Sequence, residues 1–457
     1  MQNILAAFKL LRMTNLALGG IVIFALIGAS TLWDTFQQKH KSSVSPSDVI
    51  IDYHKLYAQL ESSDYYASPV ISARFLYSMN RLMQKVKNQF PPVNYNNELI
   101  GLKLNENSDG QADLPFFEVA LNSALATHLG KLFENRTNGC HVSIGQKYSE
   151  FNQKLYKHFP SSHTILNIAD SLGRRMANAE IDSFIPASYI QYPDLTFRDS
   201  IFIANSCNNA SNGYQENWTG SLLRYQSELH LLNDIQTLIF SHGNNLWDSK
   251  TENHQEALEV YTLSRPLSKE NKWIAEFWSD DHSGITFTPV TRWVSVLNQI
   301  WDREKRDYKS VSESYYLLSL ALHETAVECW EQKYFYMIDR PEVYIKSHID
   351  STWQPFHDNP AFPGFPSGHS AFGAAACSVL EHFFGTSYSF TDFSHIGQKA
   401  FLSEPRSFKS FNEMAIENAN SRLYLGVHYR KDCEAGFKLG KQVATSVLKW
   451  FSTESST

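Results

Sequence analysis

The chain has 457 residues, of which 43% are hydrophobic and 19% charged, and its net charge at pH 7 is −7. This composition is typical of a globular protein with enough apolar material for one large domain or two ordinary ones, and it excludes a disordered or collagen-like chain. The negative charge balance, without a long basic run, argues against a nucleic-acid-binding surface. We therefore expect a folded protein without a nucleic-acid partner.

The N-terminus carries the pattern of an export signal. Lys9 and Arg12 precede an apolar stretch over residues 16–32, which ends in small residues. A basic start, an apolar centre and a small-residue end are typical of a secretory signal peptide, and the stretch is also long enough to remain as a single membrane anchor. Residues 1–33 are therefore predicted to be a signal peptide or an N-terminal anchor, and the protein to be exported to the periplasm or secreted.

Helical periodicity dominates the remainder, and convincing alternating strands are scarce. In the first half, apolar residues recur at three- and four-residue spacing over residues 70–86, 116–133, 163–185 and 222–240. In the second half, the same pattern covers residues 273–280, 291–306, 312–336, 367–384, 408–424 and 430–450. We predict an all-α fold of two packed helical bundles. The N-terminal helical region is placed at residues 45–260 and the second helical bundle at residues 261–452.

The first cluster of chemical interest is Lys333 with Arg340, directly followed by Pro341. Residues seven apart lie two turns along one helix face, so both cations can point at the same spot, and Pro341 is expected to end that helix. Two cations that converge in a protein interior favour a bound anion, because an unpaired buried charge is costly. Taken alone, the same pattern also fits an exposed face of ion pairs.

The second cluster is the tetrapeptide of residues 366–369, which precedes a helix of small residues. Ser367 at the cap position and Gly368 without a side chain leave backbone N–H groups open to an anion. His369 lies in the first turn, where it can pass a proton to a group held there. The alternative is a plain helix start whose histidine faces solvent.

The third cluster contains Arg422 and His428, which are six residues apart and cannot share a face of an unbroken helix. Gly426 offers a break, so that Arg422 closes one helix and His428 opens the next. Asp432, one turn further on, can accept the second ring N–H of His428 and fix its tautomer. The three clusters together supply the parts of a cradle for a phosphate-shaped anion.

At this point the sequence resembles a known superfamily. The motifs Lys-x6-Arg-Pro, Pro-Ser-Gly-His and Ser-Arg-x5-His-x3-Asp are the signature of the type 2 phosphatidic acid phosphatases, bacterial acid phosphatases and vanadium-dependent haloperoxidases, and the match spans residues 273–432. Three further positions look like the haloperoxidase branch. Trp330 and Phe362 match its pocket residues, and Asp281 matches an aspartate that pairs with the site arginine, here Arg422.

The resemblance implies a haloperoxidase that oxidises a halide with hydrogen peroxide at a vanadate cofactor. His428 is then the protein ligand of the metal, and His369 is the acid/base. Phosphate would fit the same site. The implied vanadate-binding set is Lys333, Arg340, Ser367, Gly368, His369, Arg422 and His428.

Two alternatives remain open. The first is a phosphatase acting on a phosphate ester, in which His428 attacks phosphorus and His369 protonates the leaving group. The second is a non-catalytic descendant that binds an oxyanion or is only structural. A homodimer is expected by analogy with other helical bundles. The sequence does not identify the halide or the organic acceptor.

Overall fold

The computed structural model describes residues 44–64, 68–90, 116–134, 138–157, 163–184, 250–280, 285–360, 362–400 and 402–454. The predicted signal or anchor, the predicted helix over residues 222–240 and Asp281 lie outside the described residues. The export prediction therefore stays a prediction. Within the described part of the chain, no helix combines the length and the apolar content needed to cross a membrane.

Helices account for almost all of the regular structure. The first five are α1 (Pro46–Asp64), α2 (Pro69–Gln89), α3 (Phe116–Leu132), α4 (Asn138–Lys157) and α5 (His163–Phe184). After residue 249 follow α6 (Lys250–Ser264), α7 (Lys269–Phe277), α8 (Thr291–Trp301), α9 (Tyr308–Tyr336), α10 (Pro341–His348), α11 (Gly368–Phe384), α12 (Phe411–Leu425) and α13 (Arg430–Glu454). Two short strands, β1 (Phe390–Asp392) and β2 (Arg406–Phe408), pair antiparallel between α11 and α12.

The predicted all-α class is confirmed. Several helices begin at residues whose side chains cap the first turn: Ser268 accepts a hydrogen bond from an N–H of α7, Asp307 from one of α9 and Ser410 from one of α12. The predicted helix over residues 408–424 begins three residues late, because Phe408 pairs with Phe390 in the small sheet. The periodicity analysis did not single out α1, α4, α6 or α10.

One apolar core extends through both halves of the chain. It contains residues of α1 to α5, such as Phe75 and Leu125, together with residues of α8, α9, α11 and α13, such as Leu318 and Val443. Helix α9 is the central element, since it packs against α2 on one side and against α11 and α13 on the other. The boundary near residue 260 stays a prediction, and the two helical regions are packed together across α9.

Helices α11 and α13 approach each other closely because two glycines of α13 lie at their contact. A Cβ atom at Gly436 would lie 2.3 Å from the carbonyl oxygen of Ser367, and one at Gly440 would lie 2.0 Å from that of Ala371. Both distances are far below van der Waals contact, so a side chain at either position would push the helices apart. The close approach brings the start of α11 next to the start of α13, where the second and third sequence clusters lie.

Candidate functional site

Lys333 and Arg340 point to one place, but they do not share a helix. Helix α9 ends at Tyr336, Met337 follows in the left-handed conformation with φ +52°, and Arg340 is the N-cap of α10. The prediction of one common helix face is therefore wrong. Pro341 occupies the first turn of α10, where its missing N–H costs nothing, instead of terminating the preceding helix.

Both cations are buried and are held by backbone carbonyl groups. The Lys333 ammonium donates to the carbonyls of Pro363, Gly364 and Pro366 at 2.9, 3.0 and 2.6 Å. The Arg340 guanidinium donates to the carbonyls of Phe362 at 3.2 Å and Val427 at 2.8 Å.

The tetrapeptide of the second cluster begins a helix, as predicted. Ser367 is the N-cap of α11 and its Oγ faces the N–H of Ser370 at 3.5 Å, while its own N–H donates to the carbonyl of Asp432 at 2.9 Å. Gly368 is needed for packing, because a Cβ there would lie 3.3 Å from Cη2 of Trp330. The first turn of α11 is thereby fixed against both α9 and α13.

The third cluster forms the predicted break between two helices. Gly426 ends α12 in the left-handed conformation with φ +80°, and α13 begins at Arg430. His428 lies in the connection. Its Nδ1 lies 3.1 Å from Oδ2 of Asp432, and its Nε2 lies 3.0 Å from Nη1 of Arg340.

These two contacts determine the tautomer of His428. A guanidinium can only donate, so Nε2 must carry the lone pair, and the proton must be on Nδ1, where it is donated to Asp432. Oδ2 of Asp432 also accepts the N–H of Tyr429 at 3.0 Å, which holds the carboxylate in place. His428 therefore presents an Nε2 lone pair to the side on which Arg340 lies, as a metal ligand or a nucleophile requires.

Arg422, on the last turn of α12, joins the same group of side chains. It is completely buried, and its guanidinium donates to the carbonyl oxygen of Trp278 and to Oγ of Ser421. The predicted brace by Asp281 lies outside the described residues. The adjacent Asp280 forms an ion pair with another buried arginine, Arg292, at 3.1 Å.

The site is strongly cationic, and its positive charges help to lower the pKa values of both histidines. Burial, together with the positive charges of Arg422, Arg340 and Lys333, holds the pKa of His369 well below its usual 6.5. Burial and the same cations lower the pKa of His428. Burial lowers the pKa of Lys333 to about 7 and raises that of Asp432 to about 7. The predicted cations therefore lie close enough to both histidines to lower their pKa values.

Two aromatic side chains, Trp330 and Phe362, lie beside the cations. The rings of Trp330 and Phe362 are 5.1 Å apart, and the Lys333 ammonium lies 5.8 Å and 5.2 Å from their centres. The Arg340 guanidinium lies 5.2 Å from the Phe362 ring. The two residues predicted as pocket residues thus border the cluster, where they exclude water and strengthen its electrostatics.

The residues present fit an oxyanion such as vanadate or phosphate. Lys333, Arg340 and Arg422 gather with the carboxylate of Asp432, so the buried group carries an excess of positive charge that an anion would offset. Nε2 of His369 is buried and meets no hydrogen-bond partner among the described residues. An anion oxygen would satisfy that nitrogen, and the lone pair of His428 would complete the set.

Sequence reasoning missed a second buried polar cluster that borders this site. It consists of Arg292 on α8 with Asp280, Asp392 and His395. An arginine inside the apolar periodicity of residues 291–306 could have signalled it, because a buried arginine needs carboxylate partners.

The chain has the all-α fold of the vanadium haloperoxidases. Residues 313–455 match the family model of the VCPO second helical-bundle domain. The predicted resemblance to the haloperoxidase branch of the superfamily is confirmed.

Individual relatives are distant. The vanadium chloroperoxidase of Curvularia inaequalis is 22% identical over 219 residues, which cover 35% of this chain and 36% of that protein. The match thus spans about a third of the length of this curated relative. Among solved structures, a bacterial vanadium-dependent iodoperoxidase is 22% identical, with a TM-score of 0.59 over 88% of this chain and 95% of that one. A bacterial vanadium-dependent chloroperoxidase in its apo form is 12% identical, with a TM-score of 0.55 over 84% and 94%.

Proposed function

We propose that the protein is a vanadium-dependent haloperoxidase that uses hydrogen peroxide to oxidise a halide. The observation that carries this proposal is the buried cationic cluster, which faces a histidine whose tautomer places the lone pair needed by a metal on Nε2. The haloperoxidase relatives support the same function. The residues that would hold vanadate are Lys333, Arg340, Ser367, Gly368, His369, Arg422 and His428.

Vanadate would supply Lewis-acid activation of hydrogen peroxide. The protein contributes the surrounding charges. Lys333, Arg340 and Arg422 withdraw negative charge from the oxygens of an anion, and they do so in a buried site where such interactions are strong. Asp432 keeps the proton on Nδ1 of His428 and makes Nε2 a better donor to the metal.

His369 is suited to accept a proton. Its pKa is held well below 6.5 by burial and by the neighbouring cations, so the ring is neutral at pH 7. A neutral imidazole at the start of α11 can take a proton from hydrogen peroxide at Nε2. In the phosphatase alternative the same ring would donate a proton to the leaving group, and the negative charge of a bound phosphate ester would raise its pKa again.

The test measures both activities on one purified protein. Oxidation of iodide, bromide and chloride by hydrogen peroxide is assayed with and without orthovanadate, beside hydrolysis of an aryl phosphate. We expect halide turnover that depends on orthovanadate. Phosphate hydrolysis without orthovanadate, combined with no halide turnover, would establish the phosphatase alternative instead.

A matched pair of variants tests the metal ligand. His428→Ala should abolish orthovanadate binding, measured by calorimetry, and halide turnover, because Nε2 is the proposed ligand. His348→Ala removes an exposed histidine on α10 and should leave both unchanged. Full binding by His428→Ala would remove that residue from the ligand role.

A further inference from the structure

Arg292 is a buried residue close to the candidate site, but it is not one of the residues that would hold vanadate. The side chain projects from the second residue of α8 and is completely buried. Its Nε and Nη2 donate to Oδ2 of Asp392 at 3.1 and 2.8 Å, and its Nη1 donates to Oδ1 of Asp280 at 3.1 Å. One guanidinium thus joins two carboxylates that are more than a hundred residues apart in sequence.

Asp392 is fixed by further donors. Oδ1 of Asp392 accepts the side chain of Gln299 at 3.0 Å and the N–H of Ser394 at 2.8 Å. Nε2 of His395 accepts a hydrogen bond from Arg292 and lies 3.4 Å from Oδ1 of Asp280. Such a buried, largely satisfied network is rigid, because losing one partner leaves another charge uncompensated.

The network holds one particular piece of backbone, residues 277–280. Nη1 of Arg292 approaches the carbonyl of Phe277 at 3.4 Å, and the guanidinium lies 4.5 Å from the Phe277 ring and 4.9 Å from the Trp278 ring. The Trp278 ring stacks on Trp293 and donates its N–H to Glu417 at 3.0 Å. The carbonyl of Trp278 then accepts the hydrogen bond from Arg422. Two residues, Trp278 and Arg422, therefore connect the Arg292 network to the anion site.

We propose that Arg292, bridging Asp280 and Asp392, is a positioning residue for the anion site. It fixes the Trp278 carbonyl, which in turn aims the guanidinium of Arg422 at the bound anion. Arg292 donates to carboxylates of the chain and is connected to the anion site through the Trp278 carbonyl and Arg422, while its positive charge also helps to lower the pKa of His369. The inference rests on the proposed function only in taking the cradle to be an oxyanion site, and it holds equally for vanadate and for phosphate.

Two variants of graded severity test it. Arg292→Lys keeps a positive charge, but a single ammonium cannot reproduce the forked contact with two carboxylates. Asp280→Asn is isosteric and leaves the pair of Arg292 with Asp392 intact. Orthovanadate and inorganic phosphate are titrated calorimetrically into each variant, well below its melting temperature. Arg74→Lys is the control, because Arg74 is also buried but donates to the carbonyl of Phe184 in another part of the fold.

We expect Arg292→Lys to weaken the binding of both anions by about 10-fold, as is usual for partners that orient a ligand-holding residue. Asp280→Asn should weaken it by about 3-fold, a smaller loss because one carboxylate contact remains. Arg74→Lys should lower the melting temperature without changing either dissociation constant. Unchanged binding in both Arg292→Lys and Asp280→Asn would overturn the inference and leave the proposed function intact. Aryl phosphate hydrolysis without halide oxidation would overturn only the proposed function.

Discussion

Replacing Asp432 with asparagine removes the charge that holds the proton on Nδ1 of His428 and preserves the size of the side chain. Oδ2 of Asp432 accepts two hydrogen bonds, from His428 at 3.1 Å and from the N–H of Tyr429 at 3.0 Å. The amide oxygen of asparagine can still accept both. The two bonds then lose their assistance from charge, and the amide N–H₂ takes the place of Oδ1, which is buried without a hydrogen-bond partner among the described residues.

The expected loss of affinity follows from these contacts. Hydrogen bonds to charged groups contribute about 1.5–3 kcal/mol and neutral ones about 0.5–1.5 kcal/mol, so the His428 bond weakens by about 1.3 kcal/mol. This corresponds to about a 10-fold weaker binding of orthovanadate. The bond from Arg340 still enforces the same tautomer of His428, so the loss should not be larger.

The pH dependence makes this prediction specific. Burial raises the pKa of Asp432 to about 7, so the wild-type carboxyl is ionised at pH 8 and mostly protonated at pH 6. Asp432→Asn should therefore bind orthovanadate more weakly than wild type at pH 8 and nearly as well at pH 6, as measured by calorimetry. Asp350→Asn, which alters a carboxylate that caps a turn at Thr352, is the control. Equal affinities of wild type and Asp432→Asn at pH 8 would refute the role of Asp432.

Two further predictions concern a cation and a glycine. Lys333→Met should weaken phosphate binding by about 10-fold at pH 6, as expected for the loss of a charged hydrogen-bond donor. Because burial lowers the pKa of Lys333 to about 7, the ratio of wild-type to variant affinity should fall toward one between pH 6 and 9, and a constant ratio would contradict this. Gly426→Ala should lower the free energy of unfolding in urea by about 2–4 kcal/mol, since φ is +80° and the new Cβ would lie 2.8 Å from Cζ2 of Trp353. Gly145→Ala, in a helix where nothing lies within 4 Å, should instead raise it by up to about 1 kcal/mol, and equal effects would contradict the strain at Gly426.

Much of the fold could be predicted from the sequence because the helices bury apolar faces with a regular period. The predicted helix over residues 70–86 corresponds to α2 and that over residues 430–450 to α13, with ends that differ by a few residues. The error at Lys333 and Arg340 has a physical cause. Met337 takes the left-handed conformation without being a residue type that signals it, and Pro341 suits the start of a helix as well as the end of one.

The sequence motifs nominate the members of the candidate site, whose roles stay predictions, but they do not reveal the residues that support it. Ser367 at a helix start and Gly426 at a helix end are local features, which a few neighbouring residues determine. The role of Arg292 depends on Asp392, which lies one hundred positions further along the chain. Nothing local to either residue reveals that pairing. The carbonyls that hold Lys333 are backbone atoms, and no sequence motif records their direction.

The three carbonyl groups around Lys333 have a consequence for how the protein matures. The ammonium already has hydrogen-bond acceptors at 2.6 to 3.0 Å supplied by the chain itself, and Arg340 and Arg422 likewise donate to carbonyl oxygens. These three buried cations therefore have hydrogen-bond acceptors from the chain itself before they meet an anion. We therefore expect the polypeptide to fold without an anion and to bind the proposed oxyanion afterwards.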